Sequence, residues 1–307
     1  MEYKEESAVV CRLPKAGLGN QLFPLMKAII FAHINQLPLV ITGYHRLRIG
    51  PYLRREKSTR NYRNYFTFQK SIFGEWLDTL HQKWLERTEV GIEPALNKID
   101  GSPGKTIFRF EAIPHWDNYF DQLKERRELA IELFWKHLRE DVKGEVARLS
   151  PPVIGVHIRM GDFRKLKSNE NFASVGSVRT PEEYFVEIIQ SIRKMAARDL
   201  PVSIFTDGFK REFTSLPQLT NISFVEGNRD IVDMILLSKS KIIVTSAGST
   251  FSYWAGFLSD APIILHPEHI HQPFRHGRIT ETVYEGGWSE GHVLLLKNIR
   301  SIVNDTA

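Results

Sequence analysis

From Val153 onward the chain alternates between short Val/Ile-rich runs and longer stretches that are apolar at helical spacing, and no other feature limits its fold so strongly. VIGVHIR, PVSIFTD, ISFVEG, KIIVTSA and APIILHP read as strands; TPEEYFVEIIQSIRKMAAR, RDIVDMILLSKS and STFSYWAGFLS read as helices between them. Strands that are apolar on both faces need cover on both faces, and helices spliced between them supply it. Such alternation implies right-handed parallel crossovers and a doubly wound α/β sheet. The helix after Arg179 carries its own start signal, with Thr180 as N-cap, Pro181 at N1 and Glu183 in capping-box position.

The first half begins in the same way. AVVCRL (Ala8 to Leu13) is a strand, KAGLGN a glycine-containing turn, QLFPLMKAIIFAHIN a helix and LPLVITGY a second buried strand, which together predict a βαβ unit with a parallel pair. From about Trp76 to Leu149 the pattern is mainly helical, broken by the turn signals GSPGK. Ser150-Pro151-Pro152 then stops the preceding helix and forces an extended entry to the strand VIGVHIR. A chain of 307 residues exceeds what one hydrophobic core usually fills. Two α/β domains are therefore expected, 1–149 and 150–307.

Composition excludes several classes. With 42% hydrophobic and 25% charged residues the chain is neither disordered nor fibrous, and no stretch approaches the roughly 20 apolar residues of a membrane span. A single cysteine, Cys11, forms no intrachain disulfide and no thiolate metal cluster, which fits a reducing compartment. The first residues, MEYKEESAVVCRLP, lack the basic start and apolar core of a signal peptide, so a cytoplasmic location is expected. The net charge of +5 suits a nucleic acid, an anionic membrane surface or an anionic small substrate. Its densest cluster, Arg46 to Arg63 with tyrosines interleaved, reads as a solvated loop, a phosphate clamp, a sugar-stacking surface or a single-strand nucleic-acid surface.

In open parallel sheets ligands bind outside the carboxyl ends of the strands, so what each strand delivers there is informative. VIGVHIR delivers His157 and Arg159, VSIFTD delivers Asp207, and KIIVTSA runs into Ser246, Gly248, Ser249 and Thr250. A guanidinium in a strand of Val and Ile calls for an anion, either a phosphate held by the two-point fork or a structural carboxylate such as Asp162 or Asp207. His157 reads equally as a ribose or base contact and as a satisfied core histidine. SAGSTFSYW joins a small turn to a helix start, a seat for a diphosphate at the positive helix end or an ordinary N-cap. Asp233, alone among Ile231, Val232, Met234 and Ile235, reads either as a first-turn acid behind Asp230 or as the acceptor for the paired N–H donors of guanine. AGLGNQ (Ala16 to Gln21) is neither a dinucleotide fingerprint nor a P-loop; its glycines fit close approach to a ligand or a tight turn.

Four segments resemble the α-1,2-fucosyltransferases, and more distantly the protein O-fucosyltransferases and α-1,6-fucosyltransferases: GLGNQLF (Gly17 to Phe23), HIRMGDF (His157 to Phe163), IFTDG (Ile204 to Gly208) and VDMILLSKSKIIVTSAGSTFSYWAGFL (Val232 to Leu258). The resemblance implies a GT-B fold of two Rossmann-like domains facing a cleft, the second binding GDP-β-L-fucose. It also implies inverting transfer to a galactoside or other glycan hydroxyl with neither metal nor cofactor. It places Arg159 on the diphosphate, His157 near the nucleotide, Asp233 on guanine, Asp207, Ser249, Thr250 and Phe251 on the donor side, and Gly19 and Asn20 facing the reacting sugar. Asp162 is the candidate general base for the acceptor hydroxyl; the alternative is that no dedicated carboxylate serves and departure of GDP leads. The expected partners are a nucleotide sugar and a glycan, not a nucleic acid; peripheral association with the inner face of a membrane stays open. Transfer from another GDP-sugar and a non-catalytic glycan- or nucleotide-binding module are the alternatives. Two departures stand out: Met160 replaces the second arginine of the family motif, and Ala247-Gly248-Ser249-Thr250-Phe251-Ser252-Tyr253-Trp254 stands where the family usually has Asn-Ser-Ser/Thr-Phe-Ser-Trp-Trp. Arg12, Lys15 or the Arg54 to Arg60 cluster are the cations expected to compensate.

Overall fold

The structure, a computed structural model, describes residues 7–45, 49–53, 57, 60–85, 90–91, 93–99, 106–269 and 272–305. It comprises two compact units, Met1–Leu47 with Tyr62–Lys143, and Arg48–Asn61 with Gly144–Ala307. The first is built on β1 (Ala8–Arg12), α1 (Leu18–Asn35) and β2 (Leu39–Thr42), with β1 and β2 parallel as their apolar runs predict. α1 is buried nearly all round, which makes it a core helix, and it ends where Gln36 turns left-handed at φ 52°. The short α2 (Ile49–Leu53) falls in the second unit. The segment expected to be mainly helical contains α3 (Ile72–Leu85), β3 (Val90–Gly91), β4 (Ile107–Phe110), α4 (Arg127–His137) and α5 (Glu140–Ala147). Its two strands complete a parallel sheet of order β2-β1-β4-β3. They escape a reading of the sequence because two- and four-residue runs are too short to show a period. The turn GSPGK at 101–105 lies outside the described residues.

The second unit holds β5 (Ile154–Ile158), α6 (Glu182–Ala196), β6 (Val202–Thr206), β7 (Ile222–Phe224), α7 (Asp230–Ser238), β8 (Ile242–Val244), α8 (Thr250–Leu258), β9 (Ile263–Leu265), α9 (Ile279–Thr282), β10 (Glu285–Gly287) and α10 (Val293–Asp305). All six strands are parallel in the order β10-β9-β8-β5-β6-β7. Counted within the unit this is the Rossmann order 3-2-1-4-5-6, and the order reverses between β5 and β8. Ile154, Val156 and Ile158 of β5 are buried against Ile189 of α6, Ile204 of β6 and Val244 of β8. Gly155 lets α7 approach: a Cβ there would sit 2.1 Å from Ser240 Oγ and 2.8 Å from Leu237 Cδ1.

Two local expectations give way. α6 begins at Glu182 with Pro181 at the N-cap, and Thr180 turns its hydroxyl to accept the Ala247 N–H (3.0 Å) instead of capping the helix. The division between units falls within α5, ahead of Ser150, because the chain has already joined the second unit when Glu145 pairs with Arg229 at 2.9 Å. Residues 48–61, from the basic segment of the first half, also belong to the second unit.

Candidate functional site

The reversal point is where side chains converge. Arg159, the first residue past β5, donates its backbone N–H to Ser246 Oγ (2.9 Å), and that hydroxyl donates to the His157 carbonyl (2.8 Å). Ser246 thus stitches the end of β8 to that of β5. The Arg159 guanidinium spans two carboxylates, Nη1 to Asp207 Oδ2 at 2.5 Å and Nη2 to Asp162 Oδ1 at 2.6 Å. Asp207 is held from its other side by the N–H groups of Met160 (2.7 Å) and Gly161 (3.1 Å). Gly161 is dictated by this crowding, since a Cβ would stand 2.3 Å from Asp207 Oδ2 and 2.9 Å from Arg60 Nη2.

Arg60 entered the sequence reading only as one end of the Arg54 to Arg60 cluster expected to compensate for Met160, not as a site residue by itself. It reaches the same network from 102 residues earlier, with Nη1 donating to Asp162 Oδ2 at 3.0 Å and Nη2 at 3.0 Å from Oδ1. Its side chain is 9% exposed and its backbone is left-handed at φ 53°, a costly conformation for a residue with a Cβ. The solvated-loop reading therefore fails at Arg60. Arg46, Arg54 and Arg55 of the same cluster lie outside the described residues. Met160, where the family motif has its second arginine, is buried in the apolar core.

Two guanidinium groups and two carboxylates thus form a network of no net formal charge. Burial opposes ionisation of Asp162, but the hydrogen bond from Arg60 and the charges of Arg159 and Arg60 outweigh it and hold the carboxyl well below the usual carboxylate range. A carboxylate so stabilised accepts a proton poorly at neutral pH, which argues against the general-base role expected for Asp162.

His157 is 4% exposed. Burial, opposed by Asp207 and assisted by Arg159, pushes its pKa down to about 3, so the ring is neutral. Nδ1 lies 3.5 Å from Ser249 Oγ, and the ring stacks on Phe251 with centroids 4.8 Å apart and planes 23° from parallel. Ser249 stands at the N-cap of α8 and Thr250 opens the helix, whose first-turn N–H groups have no intrahelical acceptor. Just before it Gly248 adopts φ 67°, and its N–H donates to the Tyr253 hydroxyl (2.7 Å). Tyr253 therefore shapes the turn as well as filling the core.

Asp233 lies one turn into α7, after Arg229 at the N-cap. Burial raises its pKa to about 6, reinforced by Asp230 and opposed by the Asn228 amide (2.9 Å from Oδ1) and by Lys57. Lys57 itself pairs with Glu226 at 3.0 Å. The structure thus brings Arg159, Asp162, Asp207, His157, Ser249, Thr250 and Phe251 to one edge of one sheet. Gly19 and Asn20 belong to the first unit, in the first turn of α1, with Asn20 Oδ1 buried and unpartnered among the described residues. Cys11 is buried in β1, and burial pushes its thiol pKa up, which removes it as a nucleophile. Among the described residues no three His, Cys, Asp or Glu side chains are grouped as a metal site would require.

Comparison with known proteins places this edge in context. Residues 98–290 match the sequence profile of glycosyl transferase family 11. An α-1,2-colitosyltransferase of Escherichia coli is 30% identical over 274 residues, covering 83% of this chain and 88% of that protein. Among solved structures, the fucosyltransferase NodZ from Bradyrhizobium superposes with a TM-score of 0.50 at 18% identity, covering 87% of this chain and 100% of NodZ, a likeness of fold.

Proposed function

Because the chain belongs to glycosyl transferase family 11, we propose that it transfers L-fucose from GDP-β-L-fucose, with inversion, to a galactose hydroxyl of a glycan, forming an α-1,2 linkage. The observation that carries this reading is Arg159, held by Asp207 and Asp162 at the strand-order reversal of a Rossmann-type sheet and flanked by the start of α8. That is where such sheets receive nucleotides.

As the bond between the anomeric carbon and the β-phosphate oxygen breaks, the sugar becomes oxocarbenium-like and negative charge gathers on the departing GDP. Arg159 and the first-turn N–H groups of α8 are the positive groups aimed at that charge. Arg60 supplies the second guanidinium that Met160 does not. The acceptor hydroxyl attacks from the opposite face, forms the new C–O bond and gives up its proton. Asp162, locked between two arginines, serves to orient them rather than to take that proton. Asp233 accepts from the guanine N1–H and N2–H, and neutral His157 on Phe251 lines the nucleotide pocket without adding charge. A second reading, transfer of colitose, has the Escherichia coli relative in its favour.

The test uses both donors. GDP should raise the melting temperature and UDP should not, and GDP-fucose should then turn over on a galactoside acceptor with the product linkage read by NMR. Equal shifts from GDP and UDP would sink the guanine assignment. Turnover with GDP-colitose but not GDP-fucose would replace fucose by colitose.

A further inference from the structure

Helix α3 of the first unit turns Glu75, Gln82 and Leu85 inward and most of its other apolar residues outward. Glu75 is buried and accepts the backbone N–H groups of Tyr44 and His45 at 2.9 Å each, and that of Gly43 as well. Gln82 is buried and accepts the Thr42 hydroxyl at 2.7 Å. These bonds lock the rotation of the helix against β2 and the turn after that strand. What remains outside is a stripe of Ile72, Phe73, Trp76, Leu77, Leu80 and Trp84, each 43% to 67% exposed. Residues 72, 76, 80 and 84 succeed one another at i+4 along one face. Contiguous apolar exposure on this scale marks an interaction surface.

Charge identifies the occupant. Lys70, 57% exposed at its side chain, precedes the helix, and His81 and Lys83 are exposed near its end. The two carboxylates of α3 are withdrawn, Glu75 into the fold and Asp78 to 17% exposure beneath Lys70 at 2.8 Å. Pairing with a second copy would set cation against cation in either sense, Lys83 against Lys70 if the two helices ran antiparallel and Lys83 against Lys83 if parallel. An anionic bilayer meets both lysines with headgroup charge and receives Trp and Phe where aromatic side chains favour the membrane interface. Fourteen residues make a helix of about 21 Å, short of the ~30 Å hydrocarbon core, so it lies on a bilayer and does not cross it. No helix among the described residues is long and apolar enough to cross a membrane.

We propose that α3 is an interfacial anchor that seats Phe73, Trp76 and Trp84 in the headgroup region of an anionic bilayer, with Lys70 and Lys83 among the lipid phosphates. The full chain should sediment with vesicles of phosphatidylcholine containing 30 mol% phosphatidylglycerol, and much less with phosphatidylcholine alone. Its tryptophan emission should shift to the blue on binding. The triple variant Phe73→Ser, Trp76→Ser, Trp84→Ser should lose about tenfold or more in vesicle affinity, with melting temperature and solution turnover unchanged, because these exposed side chains support neither the core nor the reversal-point network. Should that variant fold poorly, Lys83→Glu gives an independent reading, with an expected loss of about fivefold or more on anionic vesicles. Failure of the wild type to bind anionic vesicles, or equal binding by wild type and variants, overturns the proposal. So does a wild-type dimer that the triple substitution dissolves, since the face would then belong to a second copy.

Discussion

Replacing Arg159 by alanine separates a structural ion pair from a group that acts on the leaving nucleotide, and the structure sets the scale of each effect. The guanidinium makes two charge-assisted hydrogen bonds, to Asp207 and Asp162. Its loss strands neither carboxylate, because Asp207 keeps the Met160 and Gly161 N–H groups and Asp162 keeps Arg60. The bond to Asp162, whose side chain is 40% exposed, is discounted toward the surface value of about 0–1 kcal/mol. The less exposed bond to Asp207 contributes about 1.5–3 kcal/mol. The stability cost is then about 2 kcal/mol, or roughly 4–8 °C in melting temperature for a domain of this size. Removing a preorganised donor aimed at developing charge costs far more in rate, about a hundredfold to a thousandfold in turnover. Arg159→Lys should recover part of the stability and little of the rate, since an ammonium keeps the charge and loses the planar fork. Melting and GDP release at saturating acceptor, measured on the same preparations, decide the matter. A melting temperature lowered as above with turnover per folded molecule within about twofold of wild type would refute the assignment.

Gly161→Ala should displace Asp207 and Arg60, given the 2.3 Å and 2.9 Å approaches its Cβ would make, and weaken GDP binding by about tenfold or more; calorimetry that returns the wild-type affinity would refute this. With the Asp233 pKa raised to about 6, GDP affinity should fall as pH drops below that value, by up to about tenfold per unit, because protonation removes the acceptor that guanine needs. Asp233→Asn should flatten that profile. In the unliganded protein the same raised pKa has the opposite sign: stability falls as pH climbs from the ordinary aspartate value of 3.8 toward about 6, where the unfolded chain ionises and the folded one resists, and urea melts across that range would reveal a flat profile if Asp233 is not buried as described. EDTA should leave transfer intact, and activity lost to EDTA but restored by manganese would overturn the metal-free mechanism.

The parallel sheet of the second unit was legible in the amino-acid sequence because Val/Ile runs such as VIGVHIR and KIIVTSA and the helical spacing of α6 to α8 report burial through neighbours a few residues away. The same local logic picked out Arg159, since a guanidinium ending a run of Val and Ile needs an anion wherever the strand is placed. Other features were invisible at that range. The partner of Asp162 lies 102 residues away in a segment whose composition fits a solvated loop equally well, and only closure of the second unit around Arg60 buries it. That closure also converts Asp162 from a candidate base into a carboxylate shared by two arginines. Thr180 abandoned a favourable cap because the Ala247 N–H, brought close by the sheet, needed an acceptor. In the sequence α3 belongs to a mainly helical stretch with no face assigned; Glu75, satisfying the backbone after β2, fixes the rotation and leaves the apolar stripe facing outward. Periodicity states that a helix has two faces; which face is buried depends on the hydrogen-bonding groups that the rest of the fold presents to it.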